Sequence, residues 1–300
     1  MDQLVCEFAV DPDAIDGWQT LRFLDSNFGW ERGRMISHFP RKWERMVYEK
    51  LQGGLVQDQK VEICLQSLKR KLIRLGRPKE LQHGDWLNSA KEEHKRDPFR
   101  AIITRENKNR DPFILPLDDL HDGVPCWKVP TDAPIPRTAE DLADVVAHIL
   151  KHAVEFLLID PYFDPTKARY RRPLQEICRV ARNPNQAQKT ITYHLKADGN
   201  TGFFEQDCLR EVPILVPTGW KVNFFLWNER AGGQSFHDRF LCFKYGVISF
   251  GHGLDENRHA NDIVNVRLLS EDARLQRLRE CDPATSPFDL VHHFRLEGTR

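Results

Sequence analysis

The sequence predicts an α/β protein in which a mixed sheet flanked by helices occupies residues 138–300, preceded by a mainly helical domain over 1–115. Three observations carry this expectation. After residue 138, short β-branched and aromatic runs alternate with helical patterns, as a sheet covered by helices requires. Before residue 115 the apolar residues recur at helical spacing instead. Between the two, residues 116–137 hold Pro at 116, 125, 130, 134 and 136. That density suits neither a helix interior nor a central strand, so the stretch reads as a connection.

In the first part, Trp43–Leu51 reads as an amphipathic helix ended by Gly53-Gly54. Over Ile63–Leu75 the residues Leu65, Leu68, Leu72 and Leu75 form one stripe, with Lys69, Arg70, Lys71 and Arg74 off it. Asp85–Lys95 is a third helix, stopping before Asp97-Pro98. In the connection, Trp127 and Val129 are unusual for a loose linker and point to an ordered crossing.

In the second part, Thr138 with Glu140 and Asp141 is a helix-capping signal. The helix it opens carries Leu142, Val145, Val146, Ile149 and Leu150 as a core-facing stripe. Strands follow at 155–160, 190–194, 221–227, 239–243, 247–250, 263–267 and 290–294, with helices at 172–182 and 271–281. No internal repeat or low-complexity tract interrupts them.

Composition excludes several function classes. Lys+Arg and Asp+Glu are both 44, so whole-chain charge selects no polyanionic partner, and only a local patch can. Residues 69–110 are such a patch, with 13 basic against 6 acidic residues; it reads equally as a binding face or a solvated helix surface. No apolar run is long enough to span a bilayer, and the N-terminus lacks the pattern of a secretory signal. Seven isolated Cys without a CxxC pair suit reduced, buried thiols and neither a disulfide framework nor a zinc site. A cytoplasmic protein is expected, in solution or peripheral at a membrane, with no metal and no cofactor.

The chemistry concentrates at Phe236-His237-Asp238-Arg239 and Phe250-Gly251-His252-Gly253-Leu254-Asp255. With the first run continuing into a strand, His237 and Arg239 share one face and Asp238 points the other way. A His beside a permanent cation suits phosphate, the guanidinium gripping oxygens while the imidazole attacks or donates. The alternative is a structural ion pair of either residue with Asp160 or Asp255. The glycines permit close backbone approach, and His252 and Asp255 reach the same rim. Gly232-Gly233 reads as an approach loop. His194-Leu195-Lys196 spells His-x-Lys without any following pattern. Trp227 is a core or pocket-floor aromatic, and His292-His293 fall on opposite faces of a strand.

These residues resemble the phospholipase D superfamily signature, His-x-Lys with a later Asp and a Gly-Ser-x-Asn. His237 matches the nucleophile and Gly251 the Gly. Arg239 stands for the Lys, Lys244 for the Asp, His252 for the Ser and Leu254 for the Asn. The stretch 236–255 is closer still to the phospholipase-D-like C-terminal domain of MIT-domain-containing proteins, which carries His-Asp-Arg and Gly-x-Gly-Leu-Asp. Asp160-Pro161-Tyr162 and Phe288-Asp289-Leu290 fit the same pattern. The resemblance covers about residues 138–300 and leaves 1–115 without a counterpart. It implies a homodimer that binds acidic phospholipid, with His237 and Arg239 central and Asp160, Tyr162, Ser249, Gly251, His252 and Asp255 binding phosphate or supporting it. Two functions follow: recognition of phosphate on nucleic acid or anionic phospholipid without turnover, or metal-independent phosphodiester cleavage by a homodimer, as in a nuclease of prokaryotic defence. Residues 1–115 are expected to engage a protein partner.

Overall fold

The computed structural model describes residues 3–197, 199–251, 253–257 and 262–300. The chain divides into two compact units, Val5–Pro130 and Thr131–Arg300, the latter joined by Gln3 and Leu4.

The first unit is built on five parallel strands, β1 (Cys6–Val10), β2 (Arg34–Ser37), β3 (Leu72–Ile73), β4 (Ala101–Thr104) and β5 (Ile114–Pro116), in the order β3-β2-β1-β4-β5. Side-chain parity splits its core in two. Phe8 and Val10 of β1 and Ala101 and Ile103 of β4 pack under helices α1 (Trp18–Asn27), α2 (Trp43–Leu51) and α3 (Leu55–Leu68). Ala9 and Ile102 face the other way, onto Phe39, Phe99 and Trp86 of α4 (Trp86–Arg96). The expectation of a mainly helical domain is therefore corrected: its helices cover a parallel sheet. Both faces of such a sheet are buried, so its strands lack the alternation that reveals a strand in sequence. The expected helix over 63–75 shows the same ambiguity: it ends at Leu68, and Leu72–Ile73 form β3.

The Pro-rich stretch is shared between the units. Trp127 and Val129 belong to the core of the first. Asp132–Pro136 is β6, an edge strand of the second, where Pro134 and Pro136 are tolerated because an edge donates on one side only.

The second unit holds an eight-stranded mixed sheet, ordered β13-β9-β8-β7-β10-β11-β12-β6. Strands β7 (Glu155–Ile159), β8 (Thr190–Lys196) and β9 (Lys221–Asn228) run parallel. Strands β10 (Phe240–Cys242), β11 (Val247–Ser249), β12 (Ile263–Leu268) and β13 (Asp289–Glu297) join by antiparallel pairing. Helix α5 (Ala139–Asp144) begins at Thr138, whose hydroxyl accepts from the Asp141 amide as its sequence predicts. The stripe continues into a separate helix, α6 (Ala147–His152), after a break at Val145-Val146. Helices α7 (Ala168–Ala181), α8 (Thr201–Glu211) and α9 (Glu271–Glu280) complete the unit. The α/β class is thus observed in both halves. Among the described residues no helix is long and apolar enough to cross a membrane.

Candidate functional site

Strand register delivers the central pair. Phe240 of β10 pairs with Ile159 of β7 and with Ser249 of β11. One step outward, Arg239 therefore lies opposite Asp160 on one side and Phe250 on the other, where the Phe250 amide donates to the Arg239 carbonyl at 3.1 Å. Arg239 and Asp160 each sit one position beyond a short, paired strand.

Arg239 turns inward. Its Nε lies 3.9 Å from Asp160 Oδ1, an ion-pair distance beyond hydrogen bonding, and this buried nitrogen has no hydrogen-bond partner among the described residues. The guanidinium carbon stands 4.4 Å from the centre of the Tyr162 ring, which is 45% exposed. Asp160 is buried and accepts from the Tyr162 amide at 3.2 Å. Burial, helped by nearby Asp255, raises its carboxyl to a pKa of about 6 against the lowering effects of the Tyr162 amide, Arg239 and Arg137.

Asp255 is the second buried carboxylate. Arg137 binds it with its terminal nitrogen and donates from Nε to its backbone oxygen at 2.9 Å, while Arg169 Nε lies 3.6 Å away. Gly253 has φ of +148°, and a Cβ there would overlap the Asp255 carboxylate and the Arg137 guanidinium. Gly251, at φ +50°, marks the turn out of β11. The Ser249 hydroxyl accepts from its amide at a long 3.5 Å. His252 lies outside the described residues.

His237 behaves differently from its neighbour. Strand β10 begins only at Phe240, so the alternation expected from residue 237 onward does not apply, and this is a correction. His237 and Asp238 are both more than half exposed and face one another, Nε2 to Oδ1 3.5 Å. The structure thus gathers Arg239, Asp160, Tyr162 and Asp255, and holds His237 at the surface beside them in the chain.

The other motif histidine is a core residue. His194 is 2% exposed, its Nδ1 accepts from Trp227 Nε1 at 3.1 Å, and its ring stacks on Phe225 at 5.1 Å. Burial drives its pKa down to about 3, so it is neutral at physiological pH. Lys196 pairs instead with Glu229 at 2.9 Å, and Glu229 accepts from the Phe236 amide at 2.7 Å, bracing the loop that leads to His237. Trp227 is a core residue. His292 reaches Glu205 of α8 at 2.6 Å, and His293 stacks on Phe225.

Sequence reasoning missed Arg137 and Arg169. A signal existed: α7 opens on Lys167, Arg169, Arg171 and Arg172 with no acidic residue in its first turn. Of these, Lys167, Arg169 and Arg172 border an open groove of about 820 Å³ that includes Arg137, Asp255 and Glu256. Among the described residues, no three His, Cys, Asp or Glu are placed to hold a metal ion.

No family model matches the chain, and no curated protein matches it. Among solved structures it is similar to that of TrmBL2, an archaeal chromatin protein that shows a novel mode of DNA binding, at 13% identity and a TM-score of 0.30. The match covers 57% of this chain and 57% of that one, so the chain spans little more than half its length. A likeness this distant carries no argument about function.

Proposed function

We propose that the second unit is a phospholipase-D-like phosphate-recognition module, with Arg239 as the residue that grips a phosphate or phosphodiester of nucleic acid or anionic phospholipid. One observation carries the reading: a buried guanidinium nitrogen without a hydrogen-bond partner among the described residues, in a side chain pinned between an aromatic face and a carboxylate 3.9 Å away. A buried cationic donor left unsatisfied keeps the guanidinium under-neutralised, and an oxyanion meeting the part of the side chain that remains exposed, 19% of it, would relieve that cost. Arginine suits the task because its fork matches phosphate oxygens. The resemblance of 236–255 to phospholipase-D-like domains supports the same assignment, and the absence of the usual Lys, Asp, Ser and Asn favours recognition over turnover. The free cysteines suit a reducing, cytoplasmic setting, with the protein in solution or at a membrane face.

A second reading draws on the exposure of His237, 59% for its side chain. A nucleophilic imidazole must reach phosphorus from outside, and His237 is free to do so. Its nitrogen would form a P–N bond as the P–O bond to the leaving group breaks. The leaving oxygen then takes a proton from a second acid, supplied by His237 of a second copy in a homodimer, and water later cleaves the P–N bond.

The test incubates the full chain without metal with DNA, RNA, anionic vesicles and a chromogenic phosphodiester. Recognition predicts binding that Arg239→Ala abolishes and no cleavage above background. Binding that survives Arg239→Ala removes the assignment, and cleavage lost in His237→Ala establishes the second reading in its place.

A further inference from the structure

Two buried rings hold the functional segment at its ends. Phe236 and Phe240 belong to one core cluster with Phe288 and Cys281, and His237, Asp238 and Arg239 span the interval between them. The Phe236 ring lies 4.7 Å from that of Phe288, and the Arg277 guanidinium lies 4.8 Å from the centre of the Phe240 ring. Arg277 and Cys281 come from the end of α9, so this helix terminus packs against both anchors.

The same terminus carries an acid where both burial and the negative end of the helix dipole disfavour one. Glu280 is the last residue of α9 and is 7% exposed. Its oxygens are matched nonetheless. Oε1 accepts from the Gln234 and Gln276 amides at 3.0 Å each, and Oε2 lies 2.9 Å from Arg277 Nη1. The Gln276 and Arg277 contacts stay within the helix, whereas Gln234 belongs to the loop that leads to Arg239.

That contact completes a pair of tethers. Glu229 fixes the Phe236 amide from the end of β9, and Glu280 fixes Gln234 from α9. One tether leaves a segment free to pivot about it, and a second sets its direction. The approach supplies little restraint of its own, because Gly232 has φ of +70° and open space around it. Direction matters because Arg239 stands 3.9 Å from Asp160. A small turn of the backbone would close that gap to a hydrogen-bonded ion pair, and Asp160 would then occupy the donors that a ligand needs.

We propose that Glu280 is a positioning residue of the phosphate site, acting through Gln234 to hold the direction in which Arg239 leaves the loop. This rests on the phosphate reading of Arg239 and adds the element that keeps its guanidinium separate from Asp160.

Calorimetry with bis(4-nitrophenyl) phosphate on the full chain compares wild type with Gln234→Ala, Glu280→Ala, their combination, Glu280→Gln and Arg239→Gln, each with its thermal midpoint. Gln234 is exposed, so its truncation spares the fold and carries the test even where Glu280→Ala unfolds. Loss of a hydrogen bond to a charged acceptor is expected to weaken binding about tenfold in either single variant. The combination is expected to be no weaker than the singles, since both remove one contact. Glu280→Gln keeps an acceptor oxygen for Gln234 and is expected to stay within about threefold of wild type. A residue that only stabilised α9 would lower the midpoint without this pattern. Amide exchange adds a readout independent of ligand: the Phe250 amide donates to the Arg239 carbonyl at 3.1 Å, and its exchange is expected to quicken in Gln234→Ala. Undiminished affinity or unchanged Phe250 exchange in Gln234→Ala, or losses that add in the combination, overturns the positioning role and leaves the Arg239 reading standing. If the reporter binds wild type and Arg239→Gln equally, or binds neither, the Arg239 reading fails and the positioning role falls with it.

Discussion

The Arg239 guanidinium lies 4.4 Å over the ring of Tyr162, just past the end of β7, and this stacking fixes the cation without consuming its hydrogen-bond donors. A salt bridge would orient the side chain equally well but would leave fewer N–H groups for a ligand. Tyr162→Ala should therefore weaken phosphodiester binding, by about 0.5–2 kcal/mol or roughly 2- to 30-fold, while Tyr162→Phe retains it. Equal affinities for all three proteins would show that the ring does not hold the cation.

Asp160 should make the proposed binding dependent on pH. Its folded-state carboxyl titrates near 6, above its ordinary 3.8, so the folded protein keeps a proton there that the unfolded chain has lost. As pH rises through that window the buried carboxylate charges, and stability falls by roughly 3 kcal/mol on account of this group. The same charge neutralises Arg239 and repels an anion. Affinity for a phosphodiester, whose own charge is constant here, should fall as pH rises from about 5 to about 7. Asp160→Asn should flatten that profile, and an unaltered pH dependence in this variant would exclude Asp160 as its origin.

Gly253 is the tightest backbone constraint at the site. Its φ of +148° is open to glycine alone among common residues, and a side chain would strike the Asp255–Arg137 pair. Gly253→Ala should destabilise the fold by about 1–3 kcal/mol, seen as a lowered thermal midpoint. Gly232→Ala, at φ +70° but with open space around the added Cβ, should cost less.

Glu229 ties the loop before Arg239. Glu229 accepts from the Phe236 amide at 2.7 Å and is held by Lys196. A hydrogen bond to a charged acceptor contributes about 1.5–3 kcal/mol, so Glu229→Gln should speed hydrogen exchange of the Phe236 amide by about tenfold or more. Unchanged exchange would mean that packing of Phe236 on Phe288, with ring centres 4.7 Å apart, and the Gln234–Glu280 hydrogen bond hold the loop without it.

His194→Phe should leave phosphate binding unchanged and alter only stability, since the ring it replaces is stacked in the core. Lost binding in a folded His194→Phe protein would reassign that residue to the site.

The sequence made the strands of the second unit legible because several alternate cleanly, as in β12, where exposed and buried residues interleave. Strand β1 was hidden for the opposite reason: Cys6–Val10 is buried at every position and carries no period to read. Arg239 and Asp160 were both visible as candidates, but their meeting depends on register between segments far apart in the chain, which spacing cannot supply. Arg137 was obscured by its Pro-rich surroundings. The face shared by His237 and Arg239 was misjudged because the strand starts only at Phe240, later than its apolar texture suggests.

The pairing of Phe240 with both Ile159 and Ser249 has a consequence for how this site can vary. Arg239 meets Asp160 only while β10 keeps its register with β7 and β11, so the count of residues in the β10–β11 hairpin matters more than their chemistry. A substitution at Lys244 or Tyr245 leaves the alignment alone, whereas a single deletion there shifts the arms against each other and exchanges inside for outside. Relatives that keep the site should thus tolerate many spellings of this hairpin and very few lengths.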